Sequence, residues 1–284
     1  MKRLTVLSAL PLLLLALFAQ AKEPRVVSGL ASPESALATG DGKIYVSQIG
    51  EFGKDGDGSV VIVNRGKIEP FATGLNDPKG LARSGDFIFV TDKERVWRID
   101  PKGRPAVFAD KSAFPIPPQY LNDIVADGDG SFYVSDSGDV QAGGGGAIFK
   151  ITRTGEVSTL ITAKDDGRIK SPNGLLLDRR SLLVVDFASG ELHRVQLNPI
   201  RVTKLADGFG GGDGLAQTRS GTLFVSDWKG GRVWRVDLKK NPPQPKLYDH
   251  KFEAAADIAL DWDEKSLLVP DMKAGTLTWL PRER

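Results

Sequence analysis

Cysteine is absent from this sequence, which removes disulfides, thiolate nucleophiles and zinc–thiolate sites from the chemistry open to it. Histidine occurs twice, as His193 and His250. No Gly-x-Ser-x-Gly elbow accompanies them, so a Ser–His triad has no support. Neither sign of charge is in excess, with 38 Lys and Arg against 36 Asp and Glu. A nucleic-acid or anionic-membrane partner would call for a basic excess or patch, and none is evident. Convincing amphipathic helix patterns are also missing. Only one long apolar run occurs, and it lies at the N-terminus.

That run extends from Leu4 to Phe18, after Met1-Lys2-Arg3 and before Ala19-Gln20-Ala21. A cationic start, an apolar core and a small-x-small site read as a secretory signal peptide. A membrane anchor needs about 20 apolar residues, and Pro11 interrupts this shorter run. Cleavage after Ala21 is expected, leaving residues 22–284 as one domain, periplasmic or secreted and free of the membrane. Loss of Lys2 and Arg3 leaves 36 basic against 36 acidic residues. Without disulfides, such a domain depends on burial, closure or metal for stability.

The rest of the chain repeats itself. Ser171-Pro172-Asn173-Gly174-Leu175-Leu176-Leu177-Asp178 has five counterparts, each a polar corner, an apolar run, a turn and a second apolar run ending in an acid or, once, Gln48. Aligned on the Asn173 position, the six copies carry Glu34, Lys79, Asn122, Asn173, Asp213 and Ala256, at successive intervals of 45, 43, 51, 40 and 43 residues. A period in the forties suits one four-stranded propeller blade. Second runs such as Phe132-Tyr133-Val134-Ser135 are short, β-branched or aromatic, and bounded by turn residues. The sixth copy stops after its third strand, Thr276–Leu280, while Arg25–Leu30 resembles the fourth strand of the first copy, Glu69–Leu75. An all-β fold is predicted: a six-bladed β-propeller closed by the N-terminal strand joining the last blade, which protects the open edges. Two β-sandwiches would leave that match unexplained.

Repetition also separates architecture from chemistry. Asp92, Asp136, Asp186, Asp227 and Asp271 recur at the ends of the second strands. Recurrent acids of this kind are expected to accept local backbone N–H bonds. The slot before each first strand varies instead, and first strands of a propeller line its channel. Glu34, Asn122, Asn173 and Asp213 would bring two carboxylates and two amides to the axis, a hard oxygen set suited to Ca²⁺, or to another divalent cation such as Mg²⁺, Mn²⁺ or Zn²⁺. Asn-Gly and Asp-Gly are also turn pairs, so spacing alone leaves both readings open. Glu34, not a turn former and not followed by Gly, favours the metal.

The mature chain resembles the senescence-marker-protein/regucalcin/gluconolactonase family of calcium-dependent six-bladed propellers. The matching residues are Glu34, Asn122-Asp123, Pro172-Asn173-Gly174 and Asp213-Gly214. The resemblance implies a Glu, Asn, Asn, Asp set around a divalent cation and Asp213 as general base. It implies hydrolysis of a small lactone or related ester. There are departures: Ser35-Ala36 replaces Gly-Pro after Glu34, Gly212 replaces Pro before Asp213, and Tyr120 stands where sugar-lactone hydrolases often carry Arg. Lys79 in the second slot orients an anionic substrate, pairs with a carboxylate or faces solvent. Lys79, Tyr120 and Asp123 are therefore the substrate-side candidates. Long segments at 49–58, 111–121 and 137–146 are expected to wall the functional face. Neither the Gly143–Gly146 run nor Asp55-Gly56-Asp57-Gly58 has the full pattern of a phosphate or calcium loop. The rival readings are a non-enzymatic binding propeller with a structural metal and a strictosidine-synthase-like propeller.

Overall fold

The computed structural model describes residues 24–248 and 252–282. The signal-peptide reading of residues 1–21 lies outside them, as does His250. Six four-stranded antiparallel sheets account for the strands, and one 3₁₀ turn, Lys111–Ala113, is the helical element among the described residues. The sheets cover residues 33–75, 78–109, 121–162, 172–206 and 212–247 for blades 1 to 5. Blade 6 combines residues 259–281 with Arg25–Ser28, whose partner is the chain's last strand in the register Arg25↔Trp279 to Ser28↔Thr276. The ring is closed as the repeat predicted.

Blades pack face to face through apolar side chains. Between blades 2 and 3 lie Phe89, Val96, Phe114, Leu121, Phe132 and Phe149, all buried. Between blades 6 and 1, Val27 and Leu30 of the closing segment meet Val46, Leu268 and Trp279. Four further clusters fill the remaining junctions. Burial of this kind, about 1.5–3 kcal/mol for each large side chain, is the stabilisation expected of a chain without disulfides.

The recurrent acids serve the architecture. Asp186 accepts the Ser171 and Ser189 N–H groups at 2.7 and 2.9 Å. Asp92, Asp136, Asp227 and Asp271 likewise accept the amides of the segment entering their own blade. Gln48 takes the same place in blade 1, through the Ala31 N–H. Each side chain pins a blade entrance to the end of a second strand.

Between first and second strands, the ladder breaks at the variable slot. Register shifts fall between Pro33 and Ala36, Pro78 and Leu81, Leu121 and Ile124, Pro172 and Leu175, and Gly212 and Leu215. Each gap contains one slot residue and its successor. A bulge of this sort frees a side chain from the alternation of the strand and re-aims it. In blade 6 the regular pairing starts only at Ala259, so the sixth copy has the shortest first strand.

Candidate metal centre

Five of the six slot positions are occupied by polar side chains, and all five are buried: Glu34, Lys79, Asn122, Asn173 and Asp213. They line one cavity of about 470 Å³, together with Tyr120. Its walls come from the predicted loops, through Ile49, Phe52, Val140 and Gln141, and from the corresponding turns of later blades, through Phe187, Trp228 and Met272. The ring arrangement makes residues 222 apart in sequence neighbours: the Ser35 hydroxyl donates to Asp257 at 2.5 Å.

Three buried oxygens in this cavity have no hydrogen-bond partner: Glu34 Oε2, Asn122 Oδ1 and Asp213 Oδ1. Unpartnered buried oxygens are costly unless something else satisfies them. The amide orientation of Asn122 is fixed from behind, because its Nδ2 donates to Ser137 Oγ at 3.1 Å. Ser137 in turn donates to the Pro172 carbonyl at 2.9 Å. The Asn173 side chain beside the Asp213 carboxylate favours its charged form. The donors thus fit a hard divalent cation: two carboxylates and two amides, with orphaned oxygens in one cavity. Among the described residues, no trio of His, Cys, Asp and Glu gathers as an alternative metal site.

Electrostatics point the same way. Burial pushes the Glu34 carboxyl well above its usual range, and repulsion from Asp213 and Asp257 adds to this while Lys79 opposes it. Burial also raises Asp213, with Asp257 adding to the effect. Two acids so placed resist ionising together until positive charge arrives. Lys79 supplies some of that charge. Its ammonium donates to the Asp77 carbonyl at 3.0 Å and lies 4.3 Å from the centroid of the Tyr120 ring. Burial lowers its own pKa. Of the three readings for Lys79, the solvent-facing one is excluded by its 1% exposure.

Asp123 is the substrate candidate that the fold does not bring to the cavity. Its carboxylate accepts the Leu175 and Ile124 N–H groups at 2.6 and 2.7 Å, bracing blade 3 against blade 4. His193 is buried on the third strand of blade 4, away from the cavity. Its Nε2 is 3.4 Å from Glu191, yet neither ring nitrogen makes a hydrogen bond.

The glycines after the slots are explained by proximity. Gly80, Gly174 and Gly214 do not adopt positive φ. A Cβ on Gly174 would stand 2.2 Å from the Asp213 carbonyl oxygen, and one on Gly214 would stand 2.5 Å from the Ile258 nitrogen. Turn formation is therefore not the reason for Asn-Gly and Asp-Gly here. The repeat carries a second set of supporting residues, the hydroxyls that precede Gln48 and the recurrent acids Asp92, Asp136 and Asp227. Ser47, Ser135 and Ser226 accept the bulge N–H groups of Ser35, Asp123 and Gly214. Thr91 and Ser135 donate to the slot carbonyls of the following blades, Asn122 and Asn173. These hydroxyls fix the backbone that carries the donors.

The family model for the SMP-30/gluconolactonase/LRE-like region matches residues 79–242. This chain belongs to that family. The matched region of this SMP-30/gluconolactonase/LRE-like protein holds Lys79, Asn122, Asn173 and Asp213, whereas Glu34 precedes it. No curated protein matches the chain. Among solved structures, a calcium-binding regucalcin from Agrobacterium tumefaciens str. C58 is similar at 18% identity and TM-score 0.71, over 89% of this chain and 95% of that one. Virginiamycin B lyase from Staphylococcus aureus is similar at 14% identity and TM-score 0.61, over 92% and 99% of the two chains. A chain of a nidogen/laminin complex matches at 21% identity and TM-score 0.61, over 76% and 78%. Likeness at these identities speaks for the fold.

Proposed function

We propose that this family member is a divalent-cation-dependent hydrolase of a lactone or related ester, with a small molecule as its partner. The observation that carries the reading is the set of orphaned oxygens of Glu34, Asn122 and Asp213 in one cavity. Glu34, Asn122, Asn173 and Asp213 would hold the cation, with Ca²⁺ the best match to an all-oxygen set. When bound, the cation supplies Lewis-acid polarisation of the substrate carbonyl.

The protein's own groups account for the remaining requirements. Asp213, whose pKa is raised by burial and which the bound cation's charge and the Asn173 side chain would hold ionised, would take a proton from the attacking water and pass it to the alkoxide that leaves as the acyl C–O bond breaks. Burial of the carboxylates in that cavity strengthens every charge interaction there. Ser137 and the repeated hydroxyls hold the donors in place before substrate arrives, which is the preorganisation such chemistry needs. Lys79, clamped between the Asp77 carbonyl and Tyr120, stands beside the site of developing negative charge, and Glu34 and Asp77 favour its charged form against the burial that lowers its pKa. The signal-like start, Met1 to Ala21, supports action in the periplasm or outside the cell.

The test is turnover of a lactone and ester panel by the purified protein, with Ca²⁺ and then with excess chelator. Activity that disappears with chelator and returns with cation is the expected result. Asp213→Asn at saturating Ca²⁺ is expected to lower kcat by about 10²–10⁴-fold, the usual contribution of a general base. Cation binding with no turnover of any lactone or ester would instead assign the metal a structural role in a binding propeller.

A further inference from the structure

The floor of the cavity is polar, but its upper wall is not. Ile49, Phe52, Phe187, Trp228 and Met272 line it on the side of blades 1, 4, 5 and 6. Behind that wall the sixth slot offers a methyl group instead of an oxygen: Ala256 is fully buried in a cluster with Ile49, Ala254 and Met272, against which Trp228 packs. The one polar atom of Trp228 is already engaged, since its Nε1–H donates to the Met272 sulfur at 3.4 Å. The Phe187 and Trp228 rings stand 6.2 Å apart at 57°. Phe52, on the long loop of blade 1, leaves 53% of its surface in water at the mouth.

An aromatic wall beside a cluster of convergent polar groups is the ordinary make-up of a small-molecule site. This wall would serve a sugar lactone badly. Each hydroxyl facing it would be taken from water without a partner, which is how polar analogues are rejected by apolar pockets. Among the lining residues, Gln141 and Lys229 add polarity at the rim, and the Lys229 ammonium already lies 4.3 Å from the Phe187 ring centroid. We propose that the wall receives an alkyl or aryl substituent of the substrate, so that the substrate class is apolar lactones or esters, not polyhydroxylated aldonolactones. The identity of the reaction rests on the hydrolase reading above, whereas the binding preference stands on the wall alone.

Lactams separate the two, because they reproduce the lactone ring and resist hydrolysis. Calorimetric binding to the Ca²⁺-supplemented protein would be compared for δ-valerolactam, its 6-pentyl derivative and gluconolactam. At least tenfold tighter binding of the pentyl compound than of either other lactam is expected. Phe52→Ser and Trp228→Ala, each checked for native circular dichroism, are each expected to reduce that preference at least threefold. The exposed position of Phe52 keeps the test available should Trp228→Ala fail to fold. Equal binding of the three lactams, tighter binding of gluconolactam, or no detectable binding of the pentyl compound would overturn the proposal. Turnover of the matching lactones is measured alongside. Discrimination among lactams without turnover leaves the wall assignment standing and removes the hydrolase reading; turnover without discrimination does the reverse.

Discussion

At the scale of single residues, the site depends on groups that do not touch the proposed cation. Ser137 is the clearest case. It takes the Asn122 amide hydrogen and leaves the Asn122 carbonyl oxygen without any other partner. Ser137→Ala frees that amide to rotate. A 10–100-fold loss of Ca²⁺ affinity is expected, the range typical when an outer partner of a ligand is removed. Titration of the variant with Ca²⁺ checks this, and unchanged affinity would remove Ser137 from the supporting shell. That Glu34, Asn122, Asn173 and Asp213 share one cavity was legible in the sequence because an internal repeat makes variation at one position visible. Ser137 was not, since it is unique to the loop of one blade. Asp123 misled for the opposite reason: adjacent to Asn122 in a matching motif, it looked like a site residue, yet its carboxylate is satisfied by the Leu175 and Ile124 amides.

At the scale of the element, each blade is a strand unit with a defined break. The apolar runs, the turns and the closing strand were readable because alternation and spacing are local properties of the sequence. The bulge at the slot was not, because it arises from how the first strand meets the second and from contact between neighbouring first strands. The acids that pin the blade entrances can be tested directly. Asp186→Ala would leave the buried Ser171 N–H without its acceptor, at a cost of about 1–3 kcal/mol. Urea denaturation should show that loss as a lower midpoint with unchanged slope. No change in midpoint would mean that the acid is dispensable.

At the scale of the whole molecule, six blades concentrate buried acids on one axis. Asp257, in the row below the donors, has its pKa raised from 3.8 to about 7 by burial, partly offset by the Ser35 hydrogen bond. Glu34 and Asp213 are displaced in the same direction. A raised carboxyl pKa means that the folded chain holds protons which the unfolded chain releases. Stability of the metal-free protein should therefore fall as pH rises from about 4 to about 7. Cation binding requires deprotonated carboxylates, so stabilisation by Ca²⁺ should grow over the same interval. Thermal melts with chelator and with Ca²⁺ at stepped pH check both slopes, and a Ca²⁺ shift that shrinks with rising pH would contradict them. The central claim is that the Glu34, Asn122, Asn173 and Asp213 slots form one divalent-cation site on the propeller axis. Its most direct test is a calcium-binding isotherm on chelator-stripped protein, beside one for the Glu34→Gln, Asp213→Asn double variant. One Ca²⁺ per chain, lost in a double variant that keeps native circular dichroism, is the predicted result; no binding, or binding that survives both substitutions, would contradict it.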